Sequence, residues 1–89
     1  MALTARIRLA RVQGALGKHD EAFKSLPKKT PESFTALVEE VRGDLYVATG
    51  DAAKARQAYQ AALDSDQVGA DRNAITMKLN ELATAADAS

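Results

Sequence analysis

Gly43-Asp44-Leu45-Tyr46-Val47-Ala48-Thr49-Gly50-Asp51-Ala52-Ala53-Lys54-Ala55-Arg56-Gln57-Ala58-Tyr59-Gln60-Ala61-Ala62 reads as two helices around a tight turn. Gly43 lies inside a helical pattern, where glycine costs about 1 kcal/mol relative to alanine, so a packing reason is expected. Gly50 stands where a chain leaving a helix enters the left-handed cap conformation, which glycine reaches without steric cost. Asp51 is the expected cap of the next helix. Ala55, Ala58, Tyr59, Ala62 and Leu63 then fall on one face at helical spacing. The pattern predicts two helix axes so close at Gly43, Ala55 and Ala62 that only hydrogen or methyl side chains fit between them.

The same arrangement occurs 33 residues earlier, where Gly17 stands to Ala22 as Gly50 stands to Ala55. A period of about 33–34 residues with a helix on each side of a glycine is the signature of helix-turn-helix arrays. The unit from Pro31 to Asp64 resembles a tetratricopeptide repeat. Gly43 fills the small slot of its first helix, Tyr46 follows, and Gly50 makes the turn. Ala55, Tyr59 and Ala62 fill the small, aromatic and small slots of the second helix. One departure is visible: no proline follows near Gln67. The first unit matches less well, with Ala10, Gln13 and Leu26 in place of the glycine and the two aromatics. A third unit is present only as its first helix, in the position where a last helix covers the apolar end of an array.

Working outward, the first helix is expected over residues 3–16, ended by Gly17. Leu3, Ile7, Ala10 and Gly14 line one stripe, and Leu9, Val12 and Leu16 a neighbouring one. A short second helix starts at His19 or Asp20, is anchored by Phe23 and Leu26, and is stopped by Pro27. Lys28-Lys29 is a linker, with Thr30 and Pro31 as cap and first position of helix three. That helix is expected over 31–49, with Phe34, Leu37, Val38, Val41, Leu45 and Ala48 apolar. Helix four is expected over 52–64. Helix five follows a turn at Asp64-Ser65-Asp66-Gln67-Val68-Gly69, with Ile75, Leu79, Leu82 and Ala86 aligned and Asp87-Ala88-Ser89 fraying. The fold class is therefore all-α, a tetratricopeptide-repeat-like array of about five antiparallel helices forming an α-α superhelix. Residues 1–89 form a single domain: hairpins 3–26 and 31–64 with a capping helix over 70–86.

Composition narrows the function. The 89 residues are 46% hydrophobic, enough for one small core, with only four aromatics. Twelve basic and twelve acidic residues cancel, which weighs against nucleic-acid binding by phosphate neutralisation. The absence of cysteine excludes disulfides and thiolate chemistry. No apolar run approaches the ~20 residues of a membrane span. Arg6, Arg8 and Arg11 interrupt the start as a signal peptide. The chain is thus expected to be soluble, without membrane insertion of its own.

Leu9-Ala10-Arg11-Val12, the run Phe34 to Glu40, Arg42-Gly43-Asp44, Gly50-Asp51 to Ala58-Tyr59, and Met77-Lys78-Leu79-Asn80-Glu81-Leu82 occur in that order. From Arg6 to Leu82 this resembles the C-terminal part of the YfgM-like family of ancillary SecYEG translocon subunits. The resemblance implies a periplasmic repeat domain at the inner membrane, behind one N-terminal span that this stretch does not contain. It implies protein partners, namely the translocon and periplasmic folding factors. The alternative setting is a cytoplasmic adaptor or assembly factor.

Catalytic and metal chemistry find little support. His19, the single histidine, sits beside Asp20 with no nucleophile nearby and reads as exposed or capping. Glu39 and Glu40 point about 100° apart on a helix and do not converge. Asp64-Ser65-Asp66 lacks the spaced ligands and closing glutamate of a calcium loop. No cofactor or metal is therefore expected, and a small helical enzyme or metal binder is the remote alternative. The better candidate is a concave groove on the first helices of the units. By register it comprises Ile7 and Arg11, then Leu37, Glu40, Asp44 and Val47, then Asn73, Met77 and Asn80. Ile7, Leu37, Val47 and Met77 would form an apolar strip rimmed by Arg11, Glu40 and Asp44, suited to an extended or helical segment of a partner. Helix five or a second copy of the chain would be the competing filler. An array of two and a half units is also short for independent stability. It is expected to be either a marginal monomer or a homodimer covering the open N-terminal face.

Overall fold

The computed structural model describes residues 3–28, 34–65 and 72–88, with side chains described as far as Leu82. The described residues form five helices and no strand: α1 (Leu3–Ala15), α2 (His19–Ser25), α3 (Thr35–Ala48), α4 (Ala52–Asp64) and α5 (Arg72–Ala88). The fold is all-α and tetratricopeptide-repeat-like. Successive helices pack as neighbours: α2 on α1, α4 on α3, α5 on α4, with α3 also resting on α1 and α2.

The two turns are built alike. Gly17 and Gly50 adopt φ of 80° and 83°, the left-handed region. In the first turn the Lys18 amide donates to the Gln13 carbonyl (2.8 Å) and the Gly17 amide to Gly14 (3.1 Å). In the second, the Asp51 amide donates to Tyr46 (2.9 Å) and the Gly50 amide to Val47 (3.1 Å). Both are Schellman closures, which satisfy the last helical carbonyls and reverse the chain within three residues. A Cβ at either glycine meets nothing within 4 Å, so only the backbone is at stake. Gly17→Ala and Gly50→Ala should each cost about 1–2 kcal/mol, read as a lowered urea midpoint with an unchanged slope.

Other local signals act as the residues dictate. The Asp51 side chain accepts from the Lys54 amide (3.1 Å), capping α4. Leu26, forced extended by the proline that follows it, ends α2 with φ −73° and ψ 137°. The expected Thr30–Pro31 start of helix three, the start of helix five at residues 70–71 and the turn through Gly69 lie outside the described residues. One boundary differs from expectation. Helix five does not fray at Asp87 but runs to Ala88. Nothing from Ile75 onward is Gly or Pro, and the alanine-rich end favours helix.

Two core clusters hold the array. Ile7, Ala10, Ala22, Leu26, Val38, Val41 and Leu45 join α1, α2 and α3. Ala55, Tyr59, Ala62 and Ile75 join α4 and α5, with Tyr46, Leu63, Leu79 and Leu82 packed around them. Phe23 and Tyr46 bridge the clusters, ring centroids 4.8 Å apart. Gly43, Ala55 and Ala62 are all buried, as the sequence requires. Of the two stripes on α1, Ile7 and Ala10 enter the core while Leu9, Val12 and Leu16 stay exposed.

Candidate functional site

A trough crosses α1, α3 and α5. Between α1 and α3 lies a hollow of about 200 Å³ bordered by Arg11, Ala15, Asp44 and Ala48. Between α3 and α5 lies a larger one of about 400 Å³, lined by Asp44, Val47, Tyr59, Lys78, Glu81 and Leu82. Asp44 belongs to both, so the hollows are continuous.

Charge is ordered across this surface. Arg11, Asp44 and Lys78 occupy the same position in their respective units, 33 and 34 residues apart. The row therefore alternates plus, minus, plus. Lys78 Nζ donates to Asp44 Oδ1 (3.0 Å) and Oδ2 (3.2 Å), and to Glu40 Oε2 (3.1 Å). Glu40 is only 7% exposed, and this ammonium is the cation that makes its burial tolerable. The Tyr59 hydroxyl donates to Asp44 Oδ1 (2.5 Å). Asp44 is thereby fixed from α4 and from α5 at once. Arg11, by contrast, is exposed and forms no hydrogen bond or ion pair among the described residues.

Two titrations follow. Burial, reinforced by the hydrogen bond to Asp44 and the nearby carboxylates of Asp44, Glu40 and Glu81, pushes the Tyr59 hydroxyl far above its ordinary 10.0. For Lys78, burial works to lower the ammonium, but hydrogen bonds to Asp44 and Glu40 outweigh it and raise the pKa above 10.5. Both groups hold their protons more tightly folded than unfolded. Their stabilisation is complete below about pH 10 and is lost as pH rises past it, because the unfolded chain deprotonates first. Urea midpoints should fall steeply from about pH 9 to 11, and Tyr59→Phe should flatten the fall.

The residues expected in the groove divide. Asp44 and exposed Val47 line the trough, and Arg11 lines its α1 end. Glu40 points into the same ion cluster but is buried beneath it. Met77, Asn73 and Asn80 are exposed on α5. Leu37 is half-buried against the first core cluster. Ile7 is placed differently from expectation: at 3% exposure it is core and offers nothing to a partner. Its slot in the next unit is Glu40, so the array alternates an apolar plug with an ionic one. Sequence reasoning missed Lys78, Tyr59, Glu81 and Leu82 as trough residues. The signal for Lys78 was present, since it stands one period after Asp44.

The repeat geometry agrees with comparison to known proteins. The family model described as "Tetratricopeptide repeat-like domain" matches residues 1–84. The chain belongs to the tetratricopeptide repeat-like domain family. This repeat domain is also similar to curated proteins named "Ancillary SecYEG translocon subunit". It is 38% identical over 76 residues to the one from Escherichia coli (strain K12), covering 85% of this chain and 37% of the relative. To that of Haemophilus influenzae it is 36% identical over 76 residues, with the same coverages. To that of Buchnera aphidicola it is 27% identical over 77 residues, 86% of the chain and 40% of the relative. The resemblance drawn from the sequence motifs therefore holds. The repeat domain spans well under half the length of these relatives. No solved structure gave a significant match. Among the described residues, no helix is long and apolar enough to cross a membrane.

Proposed function

We propose that the repeat domain is a non-catalytic docking module that holds a segment of a partner protein in the trough across α1, α3 and α5. The observation that carries this is the continuity of the two hollows through Asp44. Exposed Val47 offers apolar contact beside a fixed ion row, and Arg11 offers a guanidinium with no internal partner. Such a surface can orient an extended or helical segment through its charges and hold it through its apolar contacts. Similarity to ancillary SecYEG translocon subunits supports the translocon as partner. The family resemblance further suggests folding factors on the periplasmic face of the inner membrane.

The test is site-specific photocrosslinking on bacterial membranes, with photoreactive residues at Val47 and Met77 and at Gln60 as an exposed control on α4. Adducts to a translocon component or folding factor at Val47 and Met77, and none at Gln60, are expected. Equal labelling at all three positions, or none at Val47 and Met77, would refute docking in the trough.

A further inference from the structure

We propose a second docking surface, on the outward face of α1, whose occupant is a helical hairpin of another protein carrying carboxylates beside an apolar seam. The inference is independent of the trough. Among the described residues five large apolar side chains are exposed, and three share α1: Leu9 (37%), Val12 (55%) and Leu16 (67%). Their spacing of three and four residues places them on one line, opposite the core-facing Ile7 and Ala10.

The array itself says what shape fits there. Val12, Leu45 and Leu79 occupy equivalent positions in successive units. Leu45 seats α3 on the α1–α2 hairpin, in the cluster with Ile7, Ala22 and Leu26. Leu79 packs against the cluster of α4 residues before it. In both cases this slot receives the preceding helices. On α1 no described residue fills the role, so the face is shaped for helices and left open.

Charge identifies the chemistry of the occupant. α1 carries Arg6, Arg8 and Arg11 and no acidic residue. Arg6 Nε is engaged, donating to the Ser25 carbonyl (3.2 Å). Arg8, which borders the stripe, and Arg11 in the next row are exposed, with no hydrogen bond or ion pair among the described residues. Complementary carboxylates on the incoming helix would answer them and set its register. A second copy is the weaker occupant: in any pairing of two α1 faces the guanidiniums meet no carboxylate on the opposing helix.

The probe is a stapled helical peptide of about 20 residues with a leucine seam edged by Glu, compared with the same peptide edged by Lys. Binding to the 89-residue chain is followed by fluorescence anisotropy at low and high salt. The Glu-edged probe should bind about tenfold more tightly, with the difference shrinking in salt. Val12→Glu and Arg8→Glu each alter an exposed side chain and should keep the native helical circular dichroism. Each should weaken the Glu-edged probe about tenfold. Equal affinity for both probes, or unchanged binding by folded Arg8→Glu, would overturn the proposal. So would sedimentation showing a dimer whose copies crosslink through cysteine placed at Leu16.

Discussion

Gly43→Val should leave the protein unfolded at ordinary temperature, and Gly43→Ala should cost about 1–3 kcal/mol. A Cβ at this position would lie 2.5, 2.6 and 2.9 Å from Cε1, Cδ1 and Cζ of Tyr59. Those distances are far inside van der Waals contact. The ring cannot give way, because it is enclosed by the α4–α5 cluster and its hydroxyl is held by Asp44. Helix propensity works the other way, since alanine gains about 1 kcal/mol over glycine inside a helix. The sign of the net change therefore reports whether the close approach of α3 and α4 holds the hairpin together. Gly14 is the internal control. Its added Cβ would meet only Leu45 Cδ2, at 2.7 Å, the end of a side chain that can rotate. Gly14→Ala should stay within about 1 kcal/mol of the parent. Urea unfolding of the three variants decides it. A Gly43→Ala protein as stable as the parent would mean the α3–α4 crossing is not what fixes the fold.

Lys78→Met should destabilise by about 1–3 kcal/mol, and adding Glu40→Gln should restore most of the loss. The reason is asymmetry. The Glu40 side chain is 10% exposed and its cation is Lys78, itself 34% exposed. Removing the ammonium leaves a buried carboxylate facing methylene groups. Partial access of water at Lys78 keeps the cost below that of a fully enclosed pair. Replacing both charges removes the desolvation problem along with the attraction, so the double variant should lie close to the parent. A double variant no more stable than Lys78→Met would show that Lys78 contributes through packing on α3 and not through Glu40. Binding in the trough should still suffer in the double variant, because Asp44 loses the ammonium that fixes it.

Much of this architecture is legible in the residues because its determinants are local. Gly17, Gly50, Asp51 and Pro27 each act within one turn of themselves, so the ends of α1, α2 and α3 and the start of α4 could be read within a residue. The small slots at Gly43, Ala55 and Ala62 were legible because their spacing has few other uses. Ile7 was not. α1 bears apolar side chains on two faces, and periodicity alone cannot say which one turns inward. Packing against α3 settles it: Gly14, on the Ile7 side, leaves room for Leu45, whereas Leu9 and Leu16 would hold the helices apart. Lys78 was obscured by apolar neighbours, Met77 and Leu79, and its role depends on carboxylates 34 and 38 residues away. Helix five outran its expected end because nothing in its sequence tells a helix to stop.

The ion cluster also makes the order of the units irreversible. Lys78 requires the carboxylates that the second unit supplies from positions 40 and 44. The first unit offers Ile7 and Arg11 in the same two places. A shuffled chain with the first hairpin beside α5 would press ammonium against guanidinium over an aliphatic floor. Units that look interchangeable by their glycines and alanines are thus keyed to one sequence of assembly, and gene rearrangements that permute them should be selected against at the level of folding.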